Sequence, residues 1–530
     1  MNTSLPLSNR FLFTYFTLIN FLNFLDRGII PGASSQFNAF ITSNLETNSP
    51  DVYLGLLQSA FVAGYSVSIL YSAHLLHSNR FTTLLTVSLC IWLISILGSG
   101  LSGEKILGGS YWSLLFFRCL SGVAEASFQC IIPPLIQDRC ADVYKLQLKD
   151  QQPHLSSLDE ESSFSVSTNN GAKTQPKDAT ATWLSIYFTA IPCGTAVGYI
   201  FGSVMAESSL GWTWAFYLEG MAMVPLVLFT VVLRWSEKRR EELREPKKKY
   251  LEIESDKLLA PLLQNQNNPP PTSSPRRVSR LIDPSTLHLR PTMLTELKSC
   301  LSSLPFVSII LAYAAYTAVL ISISTFGSAF VLALGFYDEE TTASLVFGGI
   351  VSVAGIVGTP LGAVIINSIQ YSEEECKEGE DGEPHDLLKV AKSMKLLNIA
   401  QFTGILFLSP MVFATSSILF LSSMFFGCIA LFVATAFFNL NAMLSVPRQH
   451  RSFAVGLLTF GLHALGDVPA PVVVGYMKDS LAPACDINSK GKFDDLQECR
   501  DQATGIRITL GVTFSWLIFV LVYVELTRRR

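Results

Sequence analysis

Four residues of this chain carry charge within strongly apolar surroundings, and any chemistry would start from them. Asp26 and Arg27 end the run LINFLNFLDRGIIPG, and Arg118 and Glu125 punctuate SLLFFRCLSGVAEASFQCIIPPL. A charged side chain deep in a bilayer is costly, so such residues usually face a bundle interior or a water-filled path and mark functional sites. Here charges of both signs sit in two separate apolar segments that could face one another. The chemistry on offer is proton exchange at the carboxyls and anion binding at the guanidinium groups. A carboxylate beside an arginine stays ionised, whereas one facing an apolar cavity takes up a proton far more readily.

Spacing places these residues on helix faces. Asn20, Asn23 and Arg27 are spaced i, i+3, i+7, and Asp26 follows Asn23 by three, giving one polar stripe on a Phe- and Leu-rich helix. Arg118 and Glu125 lie seven apart, two turns along one face, with the small Ser121 and Gly122 between them. An electrostatic partnership that only ties helices together remains an open alternative to a working site. Further along, His463 and Asp467 are spaced i, i+4, and His is the side chain best suited to titrate between about pH 5 and 8. Pro469 and Pro471 follow at once, so a titratable or substrate-contacting pair and a histidine packed at a helix break both stay open. Glu219, in WAFYLEGMAM, lies one turn into its apolar segment and reads as a structural acid reaching the membrane interface.

The elements that must hold these groups are membrane-spanning helices. The 530-residue chain is 49% apolar and only 15% charged, against about 25% charged in soluble domains. Mean hydropathy is +0.38. A helix needs about 20 apolar residues to cross a bilayer. Twelve segments qualify, at about 10–34, 53–77, 82–102, 111–136, 183–204, 212–234, 305–333, 342–368, 396–414, 416–444, 452–476 and 506–526. The expected fold class is therefore an all-α membrane protein with twelve transmembrane helices. Span 1 lacks a cleavage pattern and is expected to act as an uncleaved anchor.

Polar tracts organise the spans. Residues 1–234 form an N-terminal six-helix half with a cytoplasmic insert at about 138–181, and 235–304 form a cytoplasmic linker. Residues 305–530 form a C-terminal six-helix half with an acidic cytoplasmic insert at about 369–395. The linker, with NQNNPPPTSSPRR, has too few apolar residues for a core and is expected to be disordered. Lys and Arg concentrate in the segments that are cytoplasmic if both termini are, including EKRREELREPKKK and the terminal RRR, which predicts N-in, C-in. The loop after span 11 then faces an oxidising compartment, where Cys485 and Cys499 can form a disulfide. Gly194, Gly198 and Gly202, four apart, offer a smooth face for close helix approach.

Net charge is −4, so nothing suggests a nucleic-acid partner. No Cys pair has CxxC spacing, and neither a metal site nor a cofactor is expected. GxSxG, HExxH and Walker patterns are missing from the sequence, which argues against an enzyme and against ATP-driven transport.

The ordered motifs resemble one family. LINFLNFLDR matches the N-x-x-N-x-x-D-R first-span signature of Spinster-type transporters through Asn20, Asn23, Asp26 and Arg27. GLLQSAF in span 2, RCLSGVAEASFQCIIPPLIQD in span 4 and AIPCGTAVGYIFGS in span 5 continue the likeness. So do LVFGGIVSVAGIVGTPLG in span 8 and VPRQHRSFAVGLLTFGLHALGDVPAPVVVG through span 11. The resemblance covers nearly all spans and fails in the cytoplasmic inserts. It implies the major facilitator fold, two six-helix halves rocking about a midplane site. It further implies a proton-coupled symport of an amphipathic lipid-derived solute, such as a lysophospholipid or sphingoid lipid. Asp26, Glu125 and Arg27 would serve proton coupling. Asn20, Asn23, Arg27, Arg118, His463 and Asp467 would contact substrate. Expected partners are that lipid or another small molecule, protons and membrane lipids, in a lysosomal/endosomal or plasma membrane. A carrier for a sugar or small organic anion, and a non-transporting receptor or scaffold, are the alternatives. One departure stands out: SAHLLHSNRF puts Leu76 and His77 where major facilitators carry an Asp-Arg latch, keeping only Asn79 and Arg80. ESDKLL at Glu254–Leu259 fits an acidic dileucine sorting pattern, and RRVS at Arg276–Ser279 a kinase site.

Overall fold

A computed structural model describes residues 9–78, 81–104, 109–151, 180–264, 293–368, 383–447, 450–485 and 496–528. Among the described residues, eleven helices are long and apolar enough to cross a membrane. Span 1, Asn9–Gly32, supplies the twelfth, a 24-residue helix whose polar stripe lowers its hydropathy. Spans 2 to 6 are Pro50–Ser78, Phe81–Ser102, Tyr111–Gln151, Thr180–Glu207 and Thr213–Gln264. Spans 7 to 10 are Leu304–Ala333, Glu340–Asn367, Glu383–Phe413 and Ser417–Leu444. Span 11 runs from Arg451 to Leu481 with a π-helical turn at His463–Asp467, and span 12 is Ala503–Arg528. The all-α, twelve-span expectation holds.

Three boundaries differ from the sequence reading, the first being span 9, which begins at Glu383 inside the expected acidic insert. Span 4 remains helical to Gln151, inside the expected insert, and span 6 continues to Gln264, well into the linker expected to be disordered. The linker's first stretch is rich in Glu, Lys, Arg and Leu, strong helix formers that can prolong a helix already nucleated in the membrane. ESDKLL therefore lies on a helical extension, while RRVS and the Asn79–Arg80 remnant lie outside the described residues. The second unexpected element is a short helix, Ser34–Leu45, directly after span 1. Phe37 and Ile41 on its inner face are buried, and Phe37 packs 4.5 Å from the Trp212 ring.

Glycine decides how closely span 1 meets span 5. A Cβ on Gly194, Gly198 or Gly202 would fall 2.4, 2.2 or 2.4 Å from the carbonyl oxygens of Phe21, Leu25 and Ile29. Backbone-to-backbone contact along three turns is thus possible only with hydrogen at these positions, which assigns the glycine row to packing. Gly28 of span 1 reciprocates, with Tyr199 and Thr195 backbone at 2.8 and 2.5 Å from its imaginary Cβ.

The Cys485–Cys499 disulfide forms in the loop between spans 11 and 12 and marks one end of the bundle. At this disulfide end the two halves are tied by buried polar bonds. Glu340, opening span 8, accepts from the Ser34 hydroxyl at 3.0 Å and the Ser35 amide at 3.1 Å, and also from the Ser35 hydroxyl. Its carboxylate meets the amino end of the Ser34–Leu45 helix, where free N–H groups and the helix dipole favour negative charge. Nearby, Lys478 of span 11 pairs with Asp51 of span 2, which also accepts from Asn38 at 2.9 Å. Asp479 caps the same span 2 start, accepting from the Asp51 and Val52 amides at 3.3 and 3.0 Å.

Two outcomes follow. Glu340→Gln should lose charge-assisted bonds worth about 2 kcal/mol and lower the unfolding temperature of purified protein, since the serines keep only a neutral acceptor. An unchanged melting temperature would show that the contact between halves adds nothing to stability. For the loop, mass spectrometry after alkylation without reductant should find Cys485 and Cys499 unmodified, and Cys485→Ser should cost about 3 kcal/mol in the chain-entropy picture. Free thiols at both positions in protein from intact membranes would contradict the bond.

Candidate functional site

The four intramembrane charges converge, and they pair across spans rather than along them. Arg118 Nη1 donates to both carboxylate oxygens of Asp26, at 2.7 and 2.8 Å. Arg27 Nε and Nη2 donate to Glu125 Oε2 at 3.3 and 3.2 Å. The Ser121 hydroxyl sits between the pairs, 3.5 Å from Asp26 Oδ2 and 3.3 Å from Glu125 Oε1. Asp26 and Arg27 are chain neighbours pointing about 100° apart around their helix, so each must find its own partner on span 4. The residues of opposite sign on span 4, two turns apart, meet that requirement.

Span 2 closes the cluster from below. Gly122 and Gly64 let spans 2 and 4 touch, a Cβ on either falling 1.9 and 2.3 Å from the Phe61 and Cys119 carbonyl oxygens. That approach lays the Phe61 ring beneath both guanidinium groups, 4.8 Å from Arg27 and 5.0 Å from Arg118. Phe24 and Tyr65 add two more faces to Arg27, at 4.5 and 5.2 Å. Aromatic faces attract a cation without neutralising it, so Arg27 is held in place yet keeps its charge for an anion.

The two pairs have different surroundings. Asp26, Arg118 and Glu125 are sealed from solvent, whereas the Arg27 side chain is 18% exposed and opens on a cavity of about 130 Å³. Phe24, Gln58, Tyr65 and Thr195 line it from the first six spans, and Ile321, Ser324, His463 and Asp467 from the last six. His463 Nδ1 and Asp467 Oδ2 are 2.6 Å apart, and the imidazole meets Tyr65 edge-on at 5.1 Å. They belong to the π-helical turn, closed by the Val468 amide donating to the His463 carbonyl at 2.9 Å. Such single π turns recur at functional sites. Asp467 Oδ1 is buried without a hydrogen-bond partner.

Of the sequence-expected residues, Arg27, His463 and Asp467 thus share the cavity, and Asp26, Arg118 and Glu125 stand behind Arg27. Asn20 braces three spans, donating to the Tyr187 carbonyl at 2.9 Å and accepting from Gln129 at 3.0 Å. Asn23 is fully buried, and neither asparagine reaches the cavity. Glu219, read from sequence as a structural acid reaching outward to the interface, is instead turned into the protein interior, 2% exposed. Sequence reasoning passed over Tyr65, although Gln58, Phe61 and Tyr65 repeat at i, i+3, i+7, the same signal used for span 1. The Glu340 and Asp51–Lys478 contacts between halves had no such signal, because their partners lie far apart in the chain.

Comparison with known proteins agrees with this architecture. Residues 163–471, more than half of the chain, match the family model described as Major Facilitator Superfamily. The chain is 26% identical over 475 residues to "Probable sphingolipid transporter spinster homolog 2" of Arabidopsis thaliana, covering 88% of this chain and 80% of that one. It is also 26% identical to "Protein spinster homolog 1" of Homo sapiens, covering 87% of this chain and 72% of the relative. Among solved structures, the inward-facing and occupied crystal structure of a bacterial homologue to the human lysosomal transporter Spinster superposes with a TM-score of 0.62. It is 15% identical and covers 98% of this chain and 97% of its own, a likeness of fold. Its motifs, twelve spans and these matches place the chain in the major facilitator superfamily, as a Spinster-like, multi-pass membrane transporter rather than an enzyme.

Proposed function

We propose that this protein is a proton-coupled secondary transporter of an amphipathic lipid-derived solute, working by alternating access between residues 1–234 and 305–530, joined by 235–304. The observation that carries this reading is the double position of Arg27, bonded to the buried Glu125 on one side and exposed to the cavity on the other. A proton on Glu125 removes the charge that holds Arg27 and frees its planar fork for a phosphate or carboxylate head group. Loss of that proton returns the guanidinium to Glu125 and weakens its hold on the anion. Asp26 and Arg118 keep span 1 in register while Arg27 changes partner. Asn20 braces the same helix against spans 4 and 5, and His463–Asp467 offers a second polar contact from the opposite half. Phe24, Phe61 and Ile321 give the apolar wall an acyl chain would need.

The name of the Arabidopsis relative, a probable sphingolipid transporter, supports a sphingoid lipid, or a lysophospholipid of similar build, as the substrate; the membrane we assign is lysosomal/endosomal or plasma membrane. The cavity itself favours a second reading. At about 130 Å³ it holds roughly four waters, a volume suited to a head group or a small organic anion. A lipid must therefore extend beyond it, which the parting of the halves would permit. Uptake into liposomes of labelled lysolipids, sugars and organic anions, with and without a pH gradient, separates the two.

Glu125→Gln should abolish accumulation driven by the pH gradient while leaving a folded, inserted protein. Asp26→Asn should do the same but cost more stability, because it strands the sealed Arg118, whereas Arg27 can turn to water. Unchanged gradient-driven uptake in both variants would leave the cluster a purely architectural device. Arg27→Lys should weaken binding of an anionic lysolipid roughly tenfold, equivalent to about 1.4 kcal/mol, although total charge is conserved. Wild-type affinity in that variant, measured by ligand-dependent thermal shift, would make Arg27 a helix anchor only.

A further inference from the structure

The interior of the first half holds one acid more than its two ion pairs use. Asp26 is bonded to Arg118 and Glu125 to Arg27. Glu219 of span 6 is equally buried, and neither of its carboxyl oxygens has a hydrogen-bond partner. It interacts electrostatically with Asp26, Arg118 and Glu125, so it belongs to the same cluster. Arg118, for its part, leaves Nε and Nη2 buried and unbonded. Three acids against two arginines leave one negative charge without a counterion. A buried, unpaired carboxylate is far costlier than its neutral acid.

Among the described residues, the groups around Glu219 do not supply that counterion. Span 3, packed against span 6 beside Gly220 through Ile96 and Leu97, contains no acidic or basic residue between Phe81 and Ser102. Span 1 presents Asp26, and Arg118 and Glu125 come from span 4. Span 5 ends in Glu207, a further acid, exposed at the disulfide end. Glu219 therefore meets two acids and one arginine already engaged.

We infer that Glu219 is the proton reservoir of the cluster, neutral in this conformation, and that it exchanges its proton with Asp26 as Arg118 changes partner. In balanced form, the Glu219 carboxylic acid gives its proton to the Asp26 carboxylate. Arg118, charged throughout, moves its bonds from Asp26 to the new Glu219 carboxylate through the N–H groups now unbonded. One O–H bond breaks, one forms, and total charge is unchanged. The exchange would open the sealed bond between spans 1 and 4 only after Arg27 has changed partner, without ever exposing a lone buried charge. This role rests on the proton coupling proposed above and assigns a further residue to it.

Glu219→Gln tests the inference, because an amide copies the shape of the neutral acid but cannot give up a proton. Infrared spectroscopy of purified wild-type protein at neutral pH should show the carbonyl band of a protonated carboxyl, shifted in D₂O, and the variant should lose the component that Glu219 contributes. The variant should melt within a degree or two of wild type. In liposomes its accumulation of a fluorescent lysophospholipid under a pH gradient should fall at least tenfold, while exchange of that probe without a gradient persists. An infrared band of unchanged intensity in the variant would show that Glu219 holds no proton, and a large loss of thermal stability that its charge is needed for the fold; either overturns the inference. Normal gradient-driven accumulation in the variant would overturn its role in coupling. If wild-type protein shows no such accumulation, the proton-coupled reading itself fails, and the infrared and melting results still decide the protonation of Glu219.

Discussion

The bond between Arg118 and Asp26 constrains everything around it. Neither group touches solvent, and removing one member of a buried ion pair costs about 3–5 kcal/mol, so the pair fixes span 1 against span 4. With Asp26 committed to that contact, helix geometry turns the next residue, Arg27, toward the cavity side, where Glu125 reaches it from two turns further along span 4. The crossed arrangement thus follows from adjacency on one helix and a seven-residue spacing on the other. It yields one sealed pair, suited to holding position, and one pair bordering a cavity, suited to exchange.

Close packing makes the arrangement possible. Glycines at 194, 198 and 202 press span 5 on span 1, and those at 64 and 122 press span 2 on span 4. In the membrane, lipid tails are as apolar as Leu, so helices gain little from burying one another and must associate through contact and polar bonds. A methyl group at Gly122 would push span 2 away and lift the Phe61 ring from under both arginines. Packing and electrostatics are therefore not separable here: small residues set the distance at which the aromatic faces can support charge.

Much of this was legible in the sequence. The polar stripe of span 1, the charges of span 4 and the His463–Asp467 spacing all named residues that the fold gathers, because helical periodicity carries face information directly. The disulfide was readable from two cysteines in one polar loop on the side opposite the basic segments. Burial was less legible. Glu219 lies near the start of an apolar segment, and only tertiary packing shows that span 1 and the Ser34–Leu45 helix cover that end. The helical extension beyond Ser236 contradicted a composition argument because a charged stretch that would not fold alone can propagate from a nucleated helix. The π turn was visible only indirectly, through the two prolines after it.

The bonds between the halves also limit what a bound solute must do. At the disulfide end Glu340 holds the start of the Ser34–Leu45 helix, and Lys478 holds Asp51, all of them buried. In the proposed cycle, opening that end breaks these contacts and hydrates the charges. A ligand shifts such an equilibrium only by as much as it favours one state over the other. Moving a population from 1:99 to 99:1 takes about 5.5 kcal/mol of differential affinity. A head group engaging Arg27 alone, through one charge-assisted contact worth about 1.5–3 kcal/mol, falls short of that. Contacts from both halves at once, Arg27 on one side and the His463–Asp467 turn on the other, together with a proton that changes the partner of an arginine, reach the required scale. In the proposed cycle the site between the halves and the carboxyl cluster behind it therefore act as two parts of a single device.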